Sequence, residues 1–104
     1  MIAEVQCLPA PAGDGERPFA VIEAAIAALQ ATGLRADVGA LGTTIEGPPD
    51  AIWAAIRAAH EACLHAGAER VVTVIKVAQH KDGGPTIDEL TGRYRGGCSD
   101  AAGN

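Results

Sequence analysis

Hydrophobic residues in this chain switch repeatedly between two spacings, and this switching limits the possible folds more than any other feature. The opening segment MIAEVQCL alternates, with Ala3, Val5 and Cys7 on one side, as in a β-strand. Two longer segments, at about 18–33 and 49–67, place apolar residues at i+3 and i+4 positions, the spacing of an amphipathic helix. Between them, LRADVGAL and TTIE alternate again around Gly42, which predicts a β-hairpin.

The last strand is predicted from RVVTVIKV, the most apolar segment and one rich in β-branched residues. The order strand, helix, strand, strand, helix, strand is that of the ferredoxin-like fold. We therefore predict an α+β, βαββαβ sandwich with both helices on one face of an antiparallel sheet and the other face open. A Thr86-x-x-Glu89 capping box adds a short C-terminal helix. One domain should cover residues 1–95, and residues 96–104 are expected to form a disordered tail.

The helical spacing also predicts which side chains face the core. In the first helix the apolar stripe is Phe19, Ile22, Ile26 and Leu29, and in the second it is Ile52, Trp53, Ile56, Ala59, Cys63 and Leu64. Lys76 is the single charge inside the last strand, and its orientation stays open because both faces of that strand are apolar. A lysine that snorkels at a sheet edge is favoured over a ligand contact.

Composition excludes several function classes. At 104 residues with 3% aromatics, the chain predicts one domain with a thin, alanine-rich core, so we expect oligomerisation to bury more surface. A net charge of −5 without a basic stripe argues against nucleic-acid binding. No apolar run is long enough for a membrane span and no signal peptide is predicted, so we expect a cytoplasmic protein without membrane partners.

Cysteines and histidines give no metal signature. Cys7, Cys63 and Cys98 are far apart in sequence, and the three histidines do not pair with them at zinc-ligand spacing. We interpret the cysteines as buried or incidental thiols and predict no metal site.

Strand alternation predicts a polar cluster at the centre of the open sheet face. Ile45 should face the helices together with Thr43, which sends Thr44 and Glu46 to the open face. Glu4 and Gln6 of the first strand share that face, and the first and third strands are neighbours in this topology. If solvent covers the face, these are ordinary outward residues, and the residue pattern alone favours this interpretation. If a subunit covers it, they need partners, which a cationic or amine-bearing ligand could supply.

Catalysis finds little support in the residues. No Ser-His-Asp or Cys-His arrangement has a recognisable context, and GDGE is not a phosphate-binding loop. Glu4 and Glu46 could form an acid–base pair, but no nucleophile, metal cluster or cofactor motif accompanies them. Two alternatives to a binding protein therefore stay open: a small enzyme acting on a pyrimidine-like metabolite with Glu46 as general base, and a structural or regulatory oligomerisation module.

The segment LGTTIEG, followed by PPDAIWAAIRAAHE and then AERVVTVIKV, resembles the small thiamine-binding protein family. That family carries a G-T-x-I-E-G motif before the second helix, and residues 42–47 match every fixed position. The resemblance covers about residues 1–95. Family members often have a Pro-Met pair where this chain has Ala40 and Leu41, so the apolar wall of the pocket is expected to differ.

The resemblance implies a ferredoxin-like, non-catalytic binder of thiamine or a related pyrimidine or thiazolium metabolite, with no cofactor. It also implies homo-oligomers, typically tetramers built as dimers of dimers through the open sheet face, with the ligand at the interface. Through the motif, the resemblance implies that Thr43, Thr44 and Glu46 contact the ligand. Gln6 and Glu4 join them from strand alternation. In physical terms, a carboxylate can balance the thiazolium charge, and threonine hydroxyls can hydrogen-bond with ring nitrogens.

Overall fold

The computed structural model describes residues 1–103, and it describes side chains for residues 1–95. Its elements follow the predicted order: β1 (Ile2–Ala10), α1 (Ala20–Gln30), β2 (Arg35–Val38), β3 (Thr43–Glu46), α2 (Pro49–His65), β4 (Arg70–Ala78) and α3 (Ile87–Gly103). The prediction of a disordered tail falls on residues 96–104, outside the described side chains, and stays a prediction.

The four strands form one antiparallel sheet in the order β2-β3-β1-β4. β1 pairs with β4 along its whole length, from Ile2 opposite Ala78 to Ala10 opposite Arg70. Its pairing with β3 is much shorter and ends at Val5 opposite Thr43. The predicted ferredoxin-like sandwich is confirmed, and the second half of β1 has no strand neighbour on its β3 side.

The core lies between the sheet and the two long helices, on the side that strand alternation predicts. Ala3, Val5, Thr43 and Ile45 are all buried against α1 and α2. From α2 the buried row is Ile52, Ala55, Ile56, Ala59 and Cys63. Alanines in both layers let the helices approach the sheet closely, which compensates for the lack of aromatic side chains.

Part of the predicted core is wrong. Trp53 is 50% exposed and Leu64 is also exposed, because the buried row of α2 runs through Ala55 and Ala59 and both bulkier side chains flank it. Phe19 is 63% exposed because it stands at the N-cap of α1, before the helical stripe begins. The buried row of α1 is Val21, Ala25 and Leu29. Ile22 and Ile26 are only partly buried and face elsewhere.

The C-terminal helix covers part of the sheet face that was expected to be open. One carboxylate oxygen of Glu46 accepts a hydrogen bond from the Ile87 backbone N–H at 2.7 Å, and Arg35 pairs with Asp88 at 2.8 Å. The Asp88 carboxylate raises the pKa of the Arg35 guanidinium. Asp37 adds an ion pair with Arg95. α3 therefore lies over the β2–β3 half, and the face is open over β1 and β4.

The predicted capping box at the start of α3 is confirmed in its Thr86 half. The Thr86 hydroxyl accepts from the Glu89 backbone N–H at 3.1 Å and contacts the Glu89 carboxylate at 3.3 Å. Glu46 accepts from a second free N–H of the same helix end, so α3 starts with two of its otherwise unpaired donors occupied.

Within the described part of the chain, no helix combines the length and the apolar character needed to cross a membrane.

Candidate functional site

A cavity of about 230 Å³ opens where β3 ends and β1 continues. Beyond Val5 the β3 side of β1 has no strand partner, so Gln6, Cys7 and Leu8 present a free edge to this space. The opposite wall is the β2–β3 turn, closed by a hydrogen bond from the Gly39 N–H to the Gly42 carbonyl at 2.9 Å. Helix α1 forms the third wall with Ile22, Ala25, Ile26 and Leu29.

The cavity has apolar walls and a few polar groups. Ile22 and Ile26 belong to the predicted core stripe but line the cavity instead. The buried polar side chain of the lining is Thr43, which is only 3% exposed. Gln6 also borders the cavity at the free edge of β1, where alternation turns its side chain toward the sheet face that carries Glu4. Apolar walls with a small number of fixed hydrogen-bonding groups are typical of small-molecule sites.

Both glycines of the G-T-x-I-E-G motif are explained by close approach. A Cβ on Gly42 would lie 3.2 Å from the Val5 carbonyl oxygen and 3.3 Å from Cγ of Glu4. A Cβ on Gly47 would lie 2.8 Å from a methyl carbon of Leu34. The first contact matters for the site, because Gly42 lines the cavity and a side chain there would press on the Val5 backbone and on Glu4.

The predicted polar cluster divides into two groups in the structure. Glu4 lies directly opposite Thr44, which in turn lies opposite Asp37, so these side chains form a row across three strands of the sheet. Lys76 lies opposite Glu4 on the other side, and its Nζ is 3.8 Å from a Glu4 carboxylate oxygen. This settles the orientation of Lys76: it lies on the sheet face that carries Glu4.

Thr43 and Gln6 form the second group, at the cavity. Glu46 belongs to neither, because it lies at the far end of β3, opposite Ile2 and about 10 Å along the strand from Thr43. There it caps α3 through one of its oxygens. The role of all five residues in ligand contact stays a prediction.

A cluster of cysteine, threonine and histidine side chains lies beside the cavity, and the sequence analysis missed it. The Thr73 hydroxyl lies 3.8 Å from Sγ of Cys7, its neighbour across the β1–β4 ladder. The same hydroxyl lies 2.6 Å from Nδ1 of His60. Cys63, one turn further along α2, is buried, and burial together with the neighbouring Cys7 raises the pKa of its thiol to about 12.

Alternation correctly placed Cys7 on the helix side of β1. The contact with α2 depends on how that helix sits on the sheet, for which the sequence carries no signal. Among the described residues, no three acidic, histidine or cysteine side chains are arranged to hold a metal ion.

The fold is that of a ferredoxin-like protein, and a mostly apolar cavity opens at the edge of its sheet. Residues 3–95 match the thiamine-binding protein family, and the chain belongs to that family. A UPF0045 protein of Clostridium perfringens is 34% identical over 82% of this chain and 88% of its own length. A UPF0045 protein of Methanocaldococcus jannaschii is 32% identical over 85% of each chain.

Solved structures show the same fold. A domain of unknown function from Bacillus cereus superposes with a TM-score of 0.76 at 35% identity and covers 91% of both chains. A Thermotoga maritima protein, described as a candidate thiamine biosynthesis or salvage protein, superposes with a TM-score of 0.77 at 26% identity, covering 90% of this chain and 97% of its own.

Proposed function

We propose that this protein binds thiamine or a related pyrimidine–thiazolium metabolite in the cavity at the free edge of β1. The observation that carries the proposal is the position of this cavity: it opens at the G-T-x-I-E-G segment of a chain that belongs to the thiamine-binding family. The motif residues Gly42 and Thr43 line it directly.

The size of the cavity suits one ring system better than a whole nucleotide. Its volume of about 230 Å³ lies just below the range of about 300–1,000 Å³ common for ligand sites. An aminopyrimidine ring offers donors and acceptors on its edge. Thr43 and the unpaired backbone of β1 around Gln6 can meet them, while Ile22 and Ile26, one turn apart on α1, contact one face of the ring.

Charge favours a cationic, unphosphorylated ligand. The Glu4 side chain lies beside Gly42, a residue of the cavity wall, and is only weakly balanced by Lys76, whose side chain is 81% exposed. A thiazolium ring that projects from the cavity would meet this carboxylate. None of the described residues that line the cavity is basic, so a phosphate group would find no partner there.

We further propose that the protein does not transform its ligand. Apart from Cys7, the described cavity wall carries apolar, amide and hydroxyl groups, which bind and orient but are poor general acids or bases at neutral pH. Thiamine recovered unchanged after long incubation with the protein would agree with this, whereas a new product would favour the enzyme hypothesis. We also propose that the protein binds its ligand in the cytoplasm.

A second copy of the chain is the proposed cover of the open half of the sheet. Leu8, Val72 and Val74 are 49%, 60% and 44% exposed there and form an apolar patch on adjacent strands, the kind of surface that subunit contacts bury. Glu4 and Lys76 stand beside the patch with opposite charges, so a two-fold related copy would bring unlike charges together. We propose a dimer through this face and a tetramer of two such dimers.

Calorimetric titration of thiamine into matched threonine variants tests the site. Thr43→Val removes the buried hydroxyl from the cavity and keeps the side-chain shape. Thr44→Val makes the same change one residue along, on the opposite sheet face. Because an unmatched buried polar group costs about 1–3 kcal/mol, Thr43→Val should weaken binding about 5- to 150-fold. Equal losses in both variants, or none in Thr43→Val, would contradict the cavity site.

Glu46 offers an alternative position for the ligand, on the sheet face that carries α3. One of its carboxylate oxygens is used by Ile87, and the other could still accept from a ligand amine. If the ligand lies there, Glu46→Gln should weaken thiamine binding about 10- to 150-fold, the range for losing a charge-assisted hydrogen bond. Thr43→Val would then leave binding unchanged. The cavity proposal predicts the reverse pattern.

A further inference from the structure

The outer edge of β4 is long, apolar and unpaired. β4 forms one edge of the sheet with nine residues, whereas β2 forms the other edge with four. No strand of the described chain lies beyond β4, so the backbone N–H and C=O groups that point away from β1 have no strand partner. Val72 and Val74 are exposed on the open face of this edge, and Ile75 and Val77 are exposed on its helix side. Such an edge is a ready template for pairing with another strand.

The usual protection of an edge strand is weak in β4. Natural proteins often block an edge with a charged side chain, and Lys76 is the one charge of this strand after Arg70. Its ammonium lies 3.8 Å from a carboxylate oxygen of Glu4 on β1, the inner neighbour of β4. Lys76 is thereby drawn over its own sheet and leaves the free edge accessible.

The flank of α2 above this edge adds an exposed aromatic side chain. His60 contacts Thr73 at 2.6 Å, so this flank of the helix faces β4. Trp53, the only tryptophan of the chain, lies two helical turns earlier on the same flank. Because β4 follows α2 and runs back beneath it, Trp53 lies about 10 Å further along the strand, near the level of Val77. A strand added beside Val77 would cover the exposed half of Trp53.

We propose that the β4 edges of two copies of this chain pair antiparallel about a two-fold axis at Val74, joining two four-stranded sheets into one. An axis normal to the sheet keeps every residue on its own face and pairs residues an even number of positions apart. The register centred on Val74 pairs all nine residues of each strand and places no like charges opposite one another. An axis at Thr73 would set Arg70 against Lys76 twice, which is unfavourable. An axis at Ile75 would leave two residues of each strand unpaired.

The charges at the two ends of the strand explain why the partner is a second copy. Glu69 and Arg70 lie at the start of β4, Lys81 and Asp82 follow its end, and all four are exposed. Antiparallel pairing brings the start of one β4 beside the end of the other, so each end combines an acidic and a basic residue from both copies. Together with the proposed open-face dimer this contact completes a tetramer, but it depends neither on that dimer nor on a ligand.

Disulfide formation at the axis tests the register. In a Cys98→Ser background, Val74→Cys places two thiols across the axis with their Cα atoms about 5 Å apart, within the range of a disulfide. Val72→Cys is the matched control, because its copy lies four residues away, at about 13 Å. After oxidation with diamide, denaturing gels without reductant should show a linked dimer for Val74→Cys alone. Sheets stacked face to face lie about 10 Å apart, too far for this link. No linked dimer, or equal amounts in both variants, would overturn the proposal.

Light scattering of two valine variants tests the surface. Val77 on β4 and Val38 on β2 are both exposed on the helix side, one at each edge of the sheet. Val77→Lys should halve the oligomer mass at micromolar concentration, because it puts a charge into the apolar ladder on both sides of the axis. It should also make Trp53 easier to quench with acrylamide, whereas Val38→Lys should match the parent in both measurements. An unchanged mass in a folded Val77→Lys protein, an equal fall in both variants, or a monomeric parent would contradict the β4 contact. If Val77→Lys does not fold, the Val74→Cys link decides.

Discussion

Filling the cavity from α1 should make the protein more stable and remove its ligand binding. Ala25 is 4% exposed and lines the cavity, so in Ala25→Leu three added carbons would enter empty space. At about 0.8 kcal/mol for each buried carbon the gain is at most about 2.4 kcal/mol. Because the cavity opens to solvent, we expect roughly half of that, or a Tm higher by about 4–8 °C. A leucine there would occupy the space of the ligand ring, so thiamine affinity should fall at least about tenfold.

The control is Ala27→Leu, the same change on the exposed side of the same helix. Differential scanning calorimetry and thiamine titration of the two variants and the parent measure both effects. Ala27→Leu should match the parent in both. An Ala25→Leu protein that is less stable than its parent would show that the cavity cannot accept a side chain. One that binds thiamine normally would show that the ligand lies elsewhere.

Four further results are expected. Glu46→Ala should cost about 1–2 kcal/mol in denaturant titrations and speed amide exchange at Ile87, because it removes the cap of α3; unchanged exchange would count against that cap. Val74→Lys should reduce the oligomer mass in light scattering, and an unchanged mass would place the subunit contact elsewhere. Folding raises the pKa of the Cys63 thiol from 9.0 to about 12. The contribution of this thiol to the free energy of unfolding is therefore complete below pH 9 and declines as pH rises towards 12. Cys63→Ala should lose that part of the pH profile of Tm. EDTA should leave the Tm unchanged, and a drop of many degrees would reveal a structural metal.

Strand alternation was the strongest signal in the sequence. It placed Ala3, Val5, Thr43 and Ile45 on the buried side, because a two-residue period is fixed by backbone geometry and a single apolar residue such as Ile45 sets the phase. The helical stripes were less certain. Alanine counts weakly as an apolar residue, yet Ala25, Ala55 and Ala59 are all buried in the core, at 4%, 1% and 0% exposure. Large side chains such as Trp53 were therefore assigned to the core in their place.

The candidate site was only partly visible in the sequence. The motif located Thr43 and Gly42, and topology made β1 and β3 neighbours, but the unequal lengths of these two strands create the cavity. Strand length depends on where pairing ends, which no local pattern encodes. The capping of α3 by Glu46 is likewise a contact between residues 41 positions apart. A sequence pattern can show that Glu46 is polar and outward, but it cannot show which group it meets.

A structure of the protein with thiamine bound tests the central claim most directly. We expect the aminopyrimidine ring in the cavity, within hydrogen-bond distance of Thr43 and packed against Ile22 and Ile26, with the thiazolium ring projecting from the cavity toward Glu4. Ligand density on the open sheet face or against Glu46, with the cavity empty, would contradict the proposed site.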